Sequence, residues 1–433
     1  MHVPDATILD HDPSFSVSAS NLVFGPGATR EVGDHAAELG LRRVLVVTDP
    51  RLRDSDAVAT ALESLAASGL ETELLWAIDV EPTDASFQHA AAVATDGRFD
   101  GYVAVGGGSA MDTAKAANLY STHPADFLAY VNPPIGAGTP PPGPLKPLIA
   151  IPTTAGTGSE TTGVAIFDLP SLGAKTGIAH RRLRPTLGIV DPLNTYAMPP
   201  MVTASGGFDV LSHALESYTA IASTSRSRPA RPSLRPAYQG SNPFSDIWAE
   251  LAIRMVARSL PRAVEHPDDA EARAEMSLAA TYAGIGFGNA GVHLPHGMSY
   301  AVSGGVREFR PAGYPQDHAM VPHGMSVVLN APAVFRFTAS ADPARHLRAA
   351  ELMGADVRGA TPEDAGTILA DAIIALMRRT GMPNGLAAVG YTAADAPTLA
   401  EGTIPQHRVT KLSPRPADRG DLEALFRDAL RYW

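Results

Sequence analysis

Four side chains in the second half of the chain have the types and spacing to hold a metal ion. Asp209 and His213 stand four apart in Gly-Phe-Asp-Val-Leu-Ser-His-Ala-Leu-Glu. On a helix, side chains at i and i+4 share a face. His296 and His323 sit in near-copies of one motif, Pro295-His296-Gly297-Met298-Ser299 and Pro322-His323-Gly324-Met325-Ser326. Alone, each of the four is better explained by capping, packing or an ordinary helical Asp–His pair. Together they offer one oxygen and three nitrogens, a set suited to Fe(II), Zn(II) or a similar ion. With coordination positions left open, such an ion stabilises a substrate alkoxide so that hydride can leave its carbon. Cysteine is absent, which excludes disulfides, iron–sulfur clusters, thiolate zinc sites and thiol nucleophiles.

A second constellation lies in the first half. Gly106-Gly107-Gly108-Ser109 follows the apolar run Gly101 to Val105 and precedes a helical stretch. Strand, glycine turn and helix form the arrangement that cradles a pyrophosphate, because the backbone can approach the oxygens and the helix start offers N–H groups. A simple tight turn explains the same residues. Asp49 ends an early strand, where a carboxylate can accept from a ribose 2′-hydroxyl, as in NAD sites; a turn or cap before Pro50 is the alternative. Pro152-Thr153-Thr154-Ala155-Gly156-Thr157-Gly158-Ser159-Glu160 is a hydroxyl-rich loop after another strand, or else a plain polar connection. Ligands of open α/β sheets bind where such loops gather.

These residues need a scaffold, and the patterns supply one. Strand signals at Val44 to Thr48, Glu71 to Ile78, Gly101 to Val105 and Leu148 to Pro152 alternate with helical stretches at Ala57 to Ala67, after Thr83 and Asp84, and at Ala110 to Leu119. That order predicts a parallel sheet with helices on both faces. A hairpin is expected at Val164 to Phe167 and Lys175 to Ala179, and a last strand at Leu187 to Val190. After Pro199-Pro200 helical periods dominate: Ser205 to Ala220, Ser245 to Leu260, Ala270 to Tyr282, Gly324 to Phe335, Pro343 to Met353, Pro362 to Arg379 and Leu422 to Tyr432. Thr224 to Ser241, with four arginines and three prolines, reads as an irregular loop. The expected division is an α/β dinucleotide-binding domain over 1–198 and a helical metal-binding and substrate domain over 199–433.

The chain has 433 residues, 45% apolar and 18% charged, with net charge -11. Such an acidic surface argues against sequence-independent binding to nucleic acid. The uncharged stretch Phe127 to Leu145 is broken by Pro and Gly and unfit to span a bilayer as a helix. Met1 to Ser20 resembles neither a signal nor a transit peptide, so the expected location is the cytoplasm.

Taken together, Gly106-Gly107-Gly108-Ser109 with Asp112 and Lys115, Thr153-Thr154 with Gly156-Thr157-Gly158-Ser159-Glu160, the Asp209/His213 pair and the two His-Gly motifs resemble the iron-dependent (group III) alcohol dehydrogenase family from about Asn21 to Trp433. Several segments resemble its hydroxyacid–oxoacid transhydrogenase branch, among them Val80 to Asp84, Arg235 to Pro243, Phe287 to His293 and Val409 to Pro416. The resemblance implies an N-terminal Rossmann-like domain, an all-α C-terminal domain, as in dehydroquinate synthase-like folds, and a cleft between them. It implies Asp49 at the adenosine ribose, Gly107, Gly108 and Ser109 at the pyrophosphate, Thr153, Thr154 and Ser159 along NAD, and Lys175 at its ribose. Asp209, His213, His296 and His323 would ligate Fe(II) or Zn(II). Many members carry a second histidine four residues after the first His-Gly histidine. Here Tyr300 stands there, and Tyr300 or His293 is the candidate for proton transfer. Glu81-Pro82-Thr83 replaces the Asn-Pro-Thr of many members.

The implied reaction passes hydride from a 4-hydroxy acid such as 4-hydroxybutyrate to bound NAD, and from there to a 2-oxo acid such as 2-oxoglutarate. Lys175 and the Arg226–Arg235 loop are candidate partners for substrate carboxylates, although the loop also reads as merely solvated. A homo-oligomer, dimer or larger, is expected. Three alternatives stay open: a conventional NAD-dependent alcohol dehydrogenase, a dehydroquinate-synthase-like cyclase, and a non-catalytic interaction protein.

Overall fold

A computed structural model describes residues 11–433 apart from Gly173 and Pro315. The targeting reading of the N-terminus rests partly on residues 1–10, which lie outside the described residues.

The first half builds a six-stranded sheet. Its strands are β1 (Asn21–Phe24), β2 (Arg43–Val47), β3 (Glu71–Leu75), β4 (Gly101–Gly106), β5 (Leu148–Pro152) and, past an antiparallel hairpin of β6 (Val164–Leu169) and β7 (Ala174–Ala179), β8 (Leu187–Val190). The order is β1-β8-β5-β4-β2-β3, with every pair parallel. Helices α1 (Val32–Glu38) and α2 (Asp56–Ala67) cover one face. On the other lie α3 (Asp84–Gly97) and α4 (Gly108–Thr122), with the short α5 (Phe127–Tyr130) beyond. Strands β2 and β4 are buried throughout or nearly so, which is why they read as continuous Val-rich runs rather than alternating ones. The starts of α2 and α3 are fixed by hydroxyl caps: Ser55 Oγ accepts from Val58 N–H at 3.4 Å and Thr83 Oγ1 from Ser86 N–H at 3.1 Å.

Topology decides where a ligand can sit. The chain leaves β2 for β3 on one side, then returns so that β4 pairs with the other side of β2. That reversal opens a crevice at the carboxyl ends of β2 and β4, where Asp49 and Gly106 to Ser109 lie.

Among the described residues no strand follows β8. The second half consists of α6 (Pro200–Thr219), α7 (Pro243–Glu265), α8 (Ala270–Ala290), α9 (Leu294–Gly304), α10 (His323–Val328), α11 (Ala331–Thr338), α12 (Pro343–Leu352), α13 (Ala365–Arg379), α14 (Ala396–Thr403), α15 (His407–Thr410) and α16 (Arg419–Asp428). One large apolar cluster holds them together. Helix α6 is buried on nearly every side, so ridges of Phe208, Leu211 and Leu215 fix it rigidly in the core. The single helix expected over Gly324 to Phe335 is two: α10 ends before Asn330, and Pro332 stands in the first turn of α11, where its missing N–H costs nothing. No helix among the described residues is long and apolar enough to cross a membrane.

The two halves meet through glycines. A Cβ on Gly156 would stand 3.2 Å from the Gly206 Cα, and one on Gly158 would stand 2.8 Å from the Gly284 Cα. Gly158 also has φ +61°, a left-handed conformation that favours glycine. The loop after β5 therefore lies backbone to backbone on α6 and α8.

Candidate active site

Between the halves runs a cleft with a cavity of about 120 Å3. Its walls bring Gly108 and Ser109 from the sheet side together with Asp209, His213, His296, His323 and Tyr300 from the helical side.

Helix α6 presents Asp209 and His213 one turn apart; His296 comes from the first turn of α9 and His323 from the start of α10. The Asp209 Oδ1 lies 3.7 Å from His213 Nε2, 3.6 Å from His296 Nε2 and 3.6 Å from His323 Nε2. All four donor atoms fall within 4.8 Å of one another. The near-copied His-Gly motifs have a physical reason. A Cβ on Gly324 would stand 2.0 Å from the Ser205 carbonyl oxygen, and one on Gly297 would stand 2.6 Å from Thr410 Cγ2. Each histidine is delivered by a helix start pressed against a neighbour that leaves no room for a side chain.

The residues fit a divalent ion. Asp209 Oδ1 and His296 Nε2 are buried, face each other and have no hydrogen-bond partner, which is costly unless something else satisfies them. Donors about 2.1 Å from a shared ion stand roughly 3.4 Å apart in tetrahedral geometry, close to the observed separations. Burial opposes charge on Asp209, yet His213, His323 and His296 hold its carboxyl far below the usual range. Burial pushes His213 down to about 3 and lowers His323, leaving neutral imidazoles. Burial works against His296 too, but the carboxylates of Glu216 and Asp209 push it up to about 9.

Glu216 is a residue the sequence reading passed over. It sits one turn beyond His213, on the same face as Asp209 by its i+7 spacing, and its Oε1 lies 2.6 Å from His296 Nδ1. That contact holds the ring so that Nε2 points at the cluster. The signal was present in the heptad Asp209, His213, Glu216. The ring of His213 is pinned from the other side by Phe287, with centroids 3.9 Å apart and planes at 9°.

Across the cleft, Gly107 and Gly108 start α4. Ser109 Oγ accepts from the Glu81 N–H at 3.1 Å, and Thr154 is half-buried beside Gly107, 3.5 Å from where a Cβ would sit. Ser159 lines the cleft and donates to Asp112 Oδ1 at 2.7 Å, while Lys115 bonds Ser159 and donates to the Val164 carbonyl at 2.8 Å. Burial lowers the Lys115 ammonium pKa. This network ties α4, the hydroxyl-rich loop and β6 into one unit. Thr153 is buried, its N–H donating to the Gly106 carbonyl at 3.1 Å. Asp49 is half-buried at the carboxyl end of β2; its Oδ1 accepts from the N–H groups of Arg51 and Leu52 at 2.9 and 3.2 Å, and burial raises its pKa. Asp49 thus forms a turn, and Oδ2 lies 3.8 Å from the position of a Cβ on Gly106.

Of the remaining candidates, Lys175 and Tyr300 line the cleft and His293 does not. Lys175 lines the cleft, but its Nζ pairs with Glu81 and, at 3.2 Å, with Asp168. Glu81 adopts φ 62°, a strained choice for a non-glycine residue. His293 is fully buried behind the cluster, not in the cleft; its Nε2 meets Thr219 Oγ1 at 3.0 Å, and burial pushes it down to about 4. Tyr300 does line the cleft, its ring parallel to His323 within 14° at 6.3 Å. In the Arg226–Arg235 loop, Arg226 and Arg235 both bind Asp12, at 2.7 and 2.8 Å, so these two guanidinium groups are turned to the protein's own N-terminal segment. Arg408, unnoticed in the sequence, lines the cleft instead.

A Rossmann-like sheet facing a carboxylate–imidazole cluster across one cleft defines a nicotinamide-type oxidoreductase. Profile matches agree: "Iron-containing alcohol dehydrogenase" spans residues 19–192 and "Fe-containing alcohol dehydrogenase family, C-terminal" spans 237–430. The chain belongs to the iron-containing alcohol dehydrogenase family.

Within it, the chain is 54% identical over 430 residues to the mitochondrial hydroxyacid-oxoacid transhydrogenase of Xenopus laevis, covering 99% of this chain and 93% of that protein. The crystal structure of a 1,3-propanediol oxidoreductase is similar at TM-score 0.84 and 30% identity, covering 96% and 100% of the two chains. That of sulfoacetaldehyde reductase from Bifidobacterium kashiwanohense in complex with NAD+ is similar at TM-score 0.78 and 27% identity, covering 97% and 99%. The curated relatives' names also correct the expected cytoplasmic location, since they read mitochondrial. Compartment addresses are read by import machinery, not by the packed fold, and the lack of a familiar pattern in Met1 to Ser20 is a poor guide to them.

Proposed function

We propose that this protein is a metal- and NAD-dependent hydroxyacid–oxoacid transhydrogenase. It oxidises a 4-hydroxy acid such as 4-hydroxybutyrate to succinate semialdehyde and reduces 2-oxoglutarate to 2-hydroxyglutarate. The observation that carries the reading is the placement of the unpartnered Asp209/His296 pair, with His213 and His323, opposite the Gly108–Ser109 helix start in one cleft. The 54% identity to proteins named for this reaction supports the substrate class.

In this reading residues 1–198 form the dinucleotide-binding domain and 199–433 the metal and substrate domain. Asp209, His213, His296 and His323 hold a divalent ion, Fe(II) in keeping with the family's name, and Gly107, Gly108, Ser109, Thr153, Thr154 and Ser159 flank NAD. The bound ion supplies Lewis acidity and the nicotinamide accepts and returns hydride. The chain's own part is positioning and charge. Asp209 brings the anion that keeps three imidazoles turned inward, and Glu216 locks the ring of His296. Phe287 and Val292 exclude water from the reacting end of the cleft. Tyr300 offers a phenol beside His323 that can donate a hydrogen bond to a substrate oxygen. Asp49 sets the preference for an unphosphorylated ribose.

Incubation of metal-loaded, NAD-saturated enzyme, freed of excess NAD, with 4-hydroxybutyrate and 2-oxoglutarate tests this. Succinate semialdehyde and 2-hydroxyglutarate are expected in equal amounts, with no build-up of NADH. No semialdehyde would overturn the reading, and steady NADH accumulation with an alcohol alone would replace it by a conventional alcohol dehydrogenase.

A further inference from the structure

The cleft carries two long cationic side chains, Lys175 and Arg408. Lys175 is neutralised by Glu81 and Asp168. Arg408, on the short helix α15, is different. Its Nη1 is buried without a hydrogen-bond partner, and among the described residues no carboxylate pairs with it. A guanidinium stays charged at any physiological pH, and leaving it buried and unpaired is costly. What surrounds it is aromatic: its Cζ lies 5.1 Å from the centre of the Tyr238 ring, and Tyr300 shares the same wall. A ring face steadies the guanidinium by cation–π attraction, while Nη1 stays without a hydrogen-bond partner.

An arginine held by a ring, with an N–H group idle and an open cavity before it, awaits an anion. Two are conceivable in this cleft. A cofactor pyrophosphate is already provided for at the N-terminus of α4, by Gly108 and Ser109. The other is a carboxylate on the substrate, whose hydroxyl end would face the Asp209 cluster while its methylenes run along Val164, Ile166 and Phe287. We propose that Arg408, braced by Tyr238, anchors the substrate carboxylate and so makes the cleft select hydroxy acids over uncharged alcohols. The proposal deepens the transhydrogenase reading and rests on it for the chemistry at the substrate's far end, but not for carboxylate binding itself.

The test uses metal- and NAD-loaded wild type, R408M and R408K. Calorimetric titration with butyrate, which has the carboxylate but no hydroxyl, isolates binding. Affinity is expected to fall roughly 10–100-fold in R408M, the worth of a charge-assisted hydrogen-bond pair, and to return in part in R408K, with NAD affinity retained. In turnover, the kcat/KM ratio for 4-hydroxybutyrate over 1-butanol should fall by a similar factor, mainly through KM. Equal butyrate affinity in wild type and R408M, absence of butyrate binding by wild type, or a parallel loss of NAD binding would overturn the proposal. Butyrate binding that depends on Arg408, with no semialdehyde from 4-hydroxybutyrate, would keep the anchor and remove the transhydrogenase reading.

Discussion

Glu216 holds His296 by its Nδ1 at 2.6 Å, and its second oxygen accepts the His293 N–H at 2.5 Å. One carboxylate therefore fixes both the ring that faces the cluster and the backbone turn that starts its helix. Glu216→Gln removes the charge while keeping the shape. Metal affinity is expected to fall about 10–100-fold, read by competition with a chelator of known affinity, with the circular dichroism spectrum unchanged.

Asp209 is the anion among three imidazoles. Asp209→Ala should reduce metal content from stoichiometric to trace by mass spectrometry of the purified protein, and lower transhydrogenase activity by at least ~10²-fold. Retention of full metal with only a modest activity loss would remove Asp209 from the ligand set.

Asp49 offers a test of cofactor choice. Asp49→Ser keeps a side-chain oxygen for the turn over Arg51 and Leu52 but removes the negative charge. Binding of NADP relative to NAD, followed by fluorescence titration, should rise by roughly 10–100-fold, because a like-charge clash at a binding surface is worth several kcal/mol. An unchanged ratio would place the ribose elsewhere.

Asp12 predicts a pH dependence. The Arg235 hydrogen bond, opposed by burial and joined by that of Arg226, holds its carboxyl far below the usual range. A depressed folded pKa stabilises the protein above the ordinary carboxylate value of about 3.9, and that stability is lost as pH falls through the folded value. Asp12→Asn should lower Tm by roughly 2–4 °C at neutral pH. By calorimetry the gap between variant and wild type should narrow as pH drops below about 4. A gap that stays constant would mean the tether does not act through charge.

The sheet was legible because its central strands β2, β4, β5 and β8 are buried on both faces and its strands are punctuated by Gly and capping hydroxyls. Strand β1 escaped notice: it is four residues long, mostly exposed and at the sheet edge, where apolar patterning is weakest. The break between α10 and α11 was hidden because apolar spacing continues across it. In the site, Asp209 and His213 could be paired because helical spacing is local. The partnership of Lys175 with Glu81, 94 positions away, leaves no periodic trace, and nor does the stacking of Arg408 on Tyr238. Long-range polar pairing is decided by packing, and a single sequence does not display it.

The glycine contacts beneath the cleft carry one more consequence. Gly206 lies one turn before Asp209 on α6, and it touches Gly156 in the hydroxyl-rich loop. Main chain meets main chain there, with no flexible side chain between to absorb a shift. The distance from the cofactor side to the metal side is therefore fixed like the span of a cast bracket, not the gap of a hinge. Substrates of different size must be accommodated at the rim, and an engineered change of reach has to be made there, since the floor has no slack to give.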